Sequence, residues 1–175
     1  MTVSVPLHRD QFTDARRAVL HHGQIRVDAW RAPTGVEMLR IGNLKGHVTI
    51  LPFMGQMLWD AAFEGLNLGM SSQFDMPRPS PTIIGTYGCL GFHSGLLANG
   101  VPGPGDTHPV HGEFPTCRMD QATLFAGEDQ RGRWVELWGR RNHVEGFGPH
   151  YDAEPTVRVY ETDTMIDWGM RVYNR

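Results

Sequence analysis

Residues 156–162 read TVRVYET and residues 133–140 read RWVELWGR, two stretches in which apolar and polar side chains largely alternate. A period of two marks a strand with one face in a core, whereas a helix would space its apolar residues three and four apart. A third stretch, MIDWGMRVY at 165–173, sets Ile166, Trp168, Met170 and Val172 on one face. Toward the N-terminus the same pattern recurs. In QIRVDAW (24–30) Ile25, Val27 and Ala29 alternate with Arg26, Asp28 and Trp30, and GVEMLRIGN (35–43), GHVTILP (46–52) and QMLWDAAFEG (56–65) follow, each closed by turn-forming residues. No heptad, internal repeat or linker interrupts the series. The expected fold is all-β and mainly antiparallel, a single domain over residues 1–175. One helix is predicted, from Asp10 to His22, with Asp10 as N-cap and Gly23 in the left-handed position after its end.

The composition agrees with a turn-rich β fold. Glycine (21) and proline (12) make up about a fifth of the 175 residues, against roughly 12% on average. Sixteen Lys and Arg against nineteen Asp and Glu give a net charge of −3 with no basic run, which argues against a nucleic-acid partner. The first twenty residues carry Arg9, Asp10, Asp14, Arg16 and Arg17 and lack the apolar segment of a secretory signal. No stretch approaches the roughly 20 apolar residues of a membrane-spanning helix, so no membrane partner and a cytoplasmic location are expected. Cys89 and Cys117, the only two cysteines, read as buried thiols.

Between the two strand-rich regions lies a different kind of sequence. Residues 88–115 hold seven glycines and four prolines, yet also Cys89, Leu90, Phe92, Leu96, Leu97, Val101, Val110 and Phe114. Solvated linkers have no use for so many apolar anchors, so an ordered, irregular segment packed on a sheet is expected. It carries His93, Asp106, His108, His111 and Glu113, the last three within THPVHGEFP (107–115). Imidazole and carboxylate are the side chains best suited to proton transfer near neutral pH. A second polar group, Arg141, Asn142, His143, Glu145 and His150, follows the RWVELWGR strand. Trp134, Trp138, Phe147 and Tyr151 could wall a pocket between the two groups.

Two chemistries suit such a pocket. A histidine and a carboxylate on opposite sides of a sugar ring can interconvert anomers. One removes the anomeric hydroxyl proton, the other protonates the ring oxygen, and the opened aldehyde re-closes on its other face without metal or redox cofactor. Alternatively, His93, His108, His111 and Glu113 could ligate a divalent ion in a metal-dependent sugar isomerase, although the H-x-x-H-x-E spacing is only weakly specific.

Three stretches, LPFMGQMLWDAAFEGLNLGM, GTYGCLGFHSGLLANGVPGPGDTHPVHGEFP and GFGPHYDAEP, resemble aldose-1-epimerase-like proteins of the galactose mutarotase superfamily, from about residue 35 onward. The resemblance implies a large antiparallel β-sandwich that binds a sugar in a cleft on a concave sheet. It also implies that His111, in the His111–Gly112 pair, contacts the sugar. In that family a general-acid histidine and a general-base glutamate lie later than the residues matched here. The resemblance therefore implies the N-terminal portion of a longer sandwich.

The resulting expectation is an aldose 1-epimerase-like protein acting on a small sugar without a cofactor or bound metal. His111 and Glu113 are its acid–base candidates, and His93, His108 and His150 its candidate substrate contacts. The alternatives are the metal-dependent isomerase and a non-catalytic carbohydrate-binding remnant.

Overall fold

A computed structural model of the chain describes residues 2–175. Two antiparallel sheets face each other. The first, of five strands, runs in the order β1 (Val3–Leu7), β8 (Gln121–Asp129), β9 (Gly132–Val144), β10 (His150–Tyr160) and β11 (Ile166–Asn174). The second, of six strands, keeps chain order: β2 (Arg17–His22), β3 (Ile25–Arg31), β4 (Glu37–Gly42), β5 (Gly46–Leu51), β6 (Met57–Phe63) and β7 (Leu66–Asn67). The all-β, mainly antiparallel reading of the sequence is what the molecule shows. Among the described residues no helix is long and apolar enough to cross a membrane.

The alternation found in the sequence fills the space between the sheets. Leu124, Ala126, Val135, Leu137, Val157 and Val159 from one sheet meet Ile25, Val27, Leu39, Ile41, Val48 and Ile50 from the other, all essentially inaccessible to solvent. Removing this apolar surface from water is the main force holding the sheets together. The six-stranded sheet is also covered on its outer face. There the 70–92 segment lays Ile83, Cys89, Phe74 and Phe92 over Met38, Met57 and Trp59. That second layer explains why β6, Met57–Phe63, is apolar on both faces.

The predicted helix from Asp10 to His22 is corrected. Only a single 3-10 turn forms, at Arg9–Gln11, and Arg17–His22 becomes strand β2, paired with β3 through a bulge between Ala18 and Leu20. Pairing with the otherwise open edge of β3 outweighs a weak local helical preference. Gly23, read as a helix stop, is instead the first residue of the two-residue loop between His22 and Ile25, at φ 59°. That is the position glycine takes in a type II′ hairpin.

The irregular segment is anchored to the sheets by backbone. Leu90 and Gly91 exchange hydrogen bonds with Trp59 and Leu58 of β6. Farther on, Gly55 donates to Cys117 O at 2.8 Å, at φ 57°. A Cβ on Gly55 would sit 2.2 Å from Pro115 O. Gly55→Ala should therefore displace the 114–117 backbone and cost about 2 kcal/mol or more, from the clash and the left-handed φ together. Urea unfolding of the variant against the parent checks this.

Candidate functional site

Glu113 is the hinge between the irregular segment and the five-stranded sheet. Its Oε1 accepts hydrogen bonds from the Leu96 amide at 2.9 Å, the Leu97 amide at 3.2 Å and the Tyr151 hydroxyl at 2.8 Å. Burial pushes its carboxyl pKa up, but those amides and the Tyr151 hydroxyl outweigh it and leave the group below its ordinary value. The same contact helps hold the Tyr151 phenol protonated, since burial and the neighbouring carboxylate both disfavour phenolate. Tyr151 reaches the site because β10 directs alternate residues inward, and the ring of His143 from β9 stacks on it at 4.8 Å.

His111 sits one turn away in the same segment. Its backbone is left-handed, φ 64°, and is held on both sides: its amide donates to Gly100 O and its carbonyl accepts from the Gly95 amide, each at 2.8 Å. The half-buried ring lies 5.3 Å from Phe92, edge to face, and Phe92 in turn packs on Tyr87 at 6.0 Å. Its Nδ1 is 3.4 Å from the Ser94 hydroxyl, which also bonds Asn99 Oδ1. Nε2 has no partner among the described residues.

His93 packs against Trp168 at 4.5 Å and Phe114 at 6.1 Å, and its buried Nε2 has no hydrogen-bond partner. Burial alone lowers its pKa to about 4. His93, Ser94, Leu96 and Leu97 thus form one short run that touches Phe114, His111 and Glu113. His108 is turned elsewhere: its Nδ1 bonds Pro109 O at 2.9 Å and its Nε2 lies 3.9 Å from Asp106. His150 falls on the opposite face of β10 from Tyr151, where it meets Asn142 at 3.1 Å. Strand alternation separates the two neighbours.

The aromatic wall read from the sequence does not assemble. Trp134 lies under Arg158, Phe147 is fully exposed in the β9–β10 connection, and Tyr151 is committed to Glu113. The ring beside His111 is Phe92, on which Tyr87 packs in turn, and the polar neighbour is Ser94. Phe92 and Ser94 lie in the block singled out in the sequence and Tyr87 immediately precedes it, but none carries a spacing signal there. Both thiols are held protonated by burial, Cys89 up to about 11 and Cys117 up to about 12. Among the described residues no three His, Cys, Asp or Glu side chains converge as a metal site would require. The metal-dependent reading is not favoured, because His93, His108 and Glu113 are each turned to a different neighbour.

No protein-family model matches the chain, and no curated protein matches it in sequence. Among solved structures it superposes on a crystal structure described as a putative aldose 1-epimerase from Klebsiella pneumoniae subsp. pneumoniae MGH 78578. The TM-score is 0.75 over 99% of this chain and 52% of that one, at 10% identity. The likeness is one of fold, the galactose-mutarotase-like sandwich, and the chain spans about half the length of that structure.

Removing the Tyr151 hydroxyl leaves Glu113 with one donor fewer. Tyr151→Phe is expected to cost about 1.5–3 kcal/mol, the range for a hydrogen bond to a charged group. Hydrogen exchange at the Leu96 and Leu97 amides should accelerate with it. His93 gives a pH signature. From its ordinary value of 6.5 down to about 4 the unfolded chain holds a proton that the folded chain refuses. Stability therefore falls as pH drops through that window and is fully present above it. In His93→Phe the decline of Tm from pH 6.5 to pH 4 should be shallower than in the parent.

Proposed function

We propose that the chain is a sugar-binding, aldose 1-epimerase-like protein that exchanges the anomers of a small sugar, and that His111 is the residue that meets the ring. The observation that carries this reading is the held, left-handed His111 with an unpartnered Nε2, on a sandwich of the epimerase kind. If the Ser94 hydroxyl donates to Asn99 it can accept from an Nδ1–H, which leaves the lone pair on Nε2. An imidazole in that tautomer takes the proton of the anomeric hydroxyl as the bond from C1 to the ring oxygen breaks, and solvent water protonates the freed ring oxygen. On re-closure the imidazolium returns its proton to the carbonyl oxygen while the attacking hydroxyl gives its own to water. Phe92 and Tyr87 offer apolar surface for the C–H face of a pyranose. Glu113 acts through the loop: it fixes Leu96 and Leu97, and so the wall on which Ser94 stands. His93 packs beneath that wall, whereas His108 and His150 are assigned to bracing the loop and to the outer face.

One observation favours a second reading, binding without turnover. The carboxylate nearest His111 in sequence is occupied by three donors, an arrangement suited to bracing.

Position 111 needs a substitution that tolerates a left-handed backbone, and asparagine does so where alanine is strained. His111→Asn is expected to keep the parent Tm while slowing anomer exchange by more than about tenfold, equivalent to about 1.4 kcal/mol. Exchange is read by NMR magnetisation transfer between α and β anomers, and sugar binding by calorimetric titration. Binding in the parent without exchange selects the second reading. A parent that binds no aldose defeats both.

A further inference from the structure

Three segments meet at the end of the sandwich opposite the β8–β9 hairpin: the turn after β1, the turn after β5 and the 116–120 run that leads into β8. Phe53 O ties them together, accepting from Arg9 Nη2 at 3.2 Å and from the Met119 amide at 3.1 Å. The Arg9 guanidinium lies over the Phe53 ring, 5.0 Å from its centroid. Arg118 is fixed nearby through a backbone bridge to Met54. Arg9, Phe53 and Arg118 together line two hollows, of about 240 and 490 Å³. Neither guanidinium has an ion pair among the described residues, and the Arg118 side chain bonds nothing. The acids close by are engaged elsewhere. Glu37 faces Arg31 at 3.8 Å, and Asp120 accepts from the Asn142 amide at 2.7 Å and from Arg141 at 3.4 Å. Asp10 is exposed and bonds neither arginine. A chain of net charge −3 thus gathers unneutralised positive charge in one concave place, where the walls focus the field.

We propose that this cleft binds a phosphate group, free or as the monoester of a small molecule, between the Arg9 and Arg118 guanidiniums, with the Thr116 hydroxyl as a further donor. Guanidinium forks match phosphate oxygens two at a time, and such charge-assisted bonds are about twice as strong as neutral ones. Arg9 is already oriented by its bond to Phe53 O and by the ring beneath it, so little side-chain freedom is lost on binding. Thr116 lines the smaller hollow and its hydroxyl has no partner among the described residues. A planar carboxylate is satisfied by one fork. Donors that arrive from separate segments suit a tetrahedral group, which offers oxygens in several directions. The cleft is distinct from the His111 site, since Tyr87, Phe92 and Ser94 take no part in its walls.

Titrating the 175-residue chain with phenyl phosphate and with inorganic phosphate, at low salt and without other multivalent anions, should give saturable binding that weakens as sodium chloride is raised. Amide NMR shifts should map to Arg9, Gly35, Phe53 and Arg118. Arg118→Gln should keep the parent Tm and weaken both ligands by about tenfold or more, the worth of a hydrogen bond to a charged group. Arg133→Gln removes the same charge at the other end of the sandwich, beside Glu161, and should bind like the parent. Tighter binding of phenyl phosphate supports the proposal with an ester whose carbon part rests against Pro79. Binding no tighter than that of inorganic phosphate supports it with the free ion. Absence of saturation with both ligands overturns it. So do shifts that map elsewhere, an Arg118→Gln variant that binds like the parent, or an Arg133→Gln variant that is weakened as much.

Discussion

A half-buried carboxylate, that of Glu113, joins the regular half of this molecule to the irregular half. A charge withdrawn from water is costly unless its oxygens are bonded, and irregular backbone carries amides that no ladder satisfies. Each problem answers the other here. The Leu96 and Leu97 amides, which have no strand partner, bond the carboxylate, and the Tyr151 hydroxyl completes the set. Tyr151 cannot give way, because β10 runs in the body of its sheet between β9 and β11. The position of the 94–97 segment is therefore set by a strand more than fifty residues later in the chain.

Most of the strands that could be read from the sequence have one wet face, β6 being the exception. β3, β4, β5, β9 and β11 alternate because water lies on one side or beyond one end of them, and their patterns matched the ladders. Besides β1 and the two-residue β7, three elements escaped that logic. Residues 121–129 pair as β8 with both β1 and β9, but glycine and alanine dilute their alternation. Residues 150–155 looked like the end of a glycine-rich turn and proved to be the first half of β10, Pro155 included. The proline is tolerated because its missing N–H would have pointed at β9, where the register carries no bond for it. The third is β2, where a plausible helix cap and stop flanked a segment that the edge of β3 claimed.

The site was legible by location and not by role. THPVHGEFP and the preceding FHSG do converge through Ser94, Leu96 and Leu97, because glycine and apolar anchors together imply an ordered segment. Nothing in residue type foretold that Glu113 would be spent on amides, that His108 would bond Pro109, or that His150 would face away from Tyr151. Such roles depend on which way a strand's alternation falls and on which amides lack partners, and both are tertiary facts. The partners that matter most to His111, Ser94 and Phe92, are ordinary residues whose importance comes only from contact.

The conformation of His111 gives its assignment physical weight. A left-handed backbone suits glycine or asparagine, and imposing it on another residue costs on the order of 1 kcal/mol. The next position shows what the fold needs for itself: a Cβ on Gly112 would lie 2.1 Å from Ala98 O, so the two backbone runs touch and glycine is required. At 111 no such contact dictates the side chain. The hydrogen bonds that hold the turn, to Gly100 and Gly95, are made by backbone atoms that any residue supplies. Architecture alone would thus be met at lower cost by glycine. The imidazole adds a ring seated on Phe92, an Nδ1 beside a hydroxyl and an Nε2 left open. Strain retained where a cheaper residue would serve directs attention to the side chain, and the proton exchange proposed above is chemistry that an imidazole can supply.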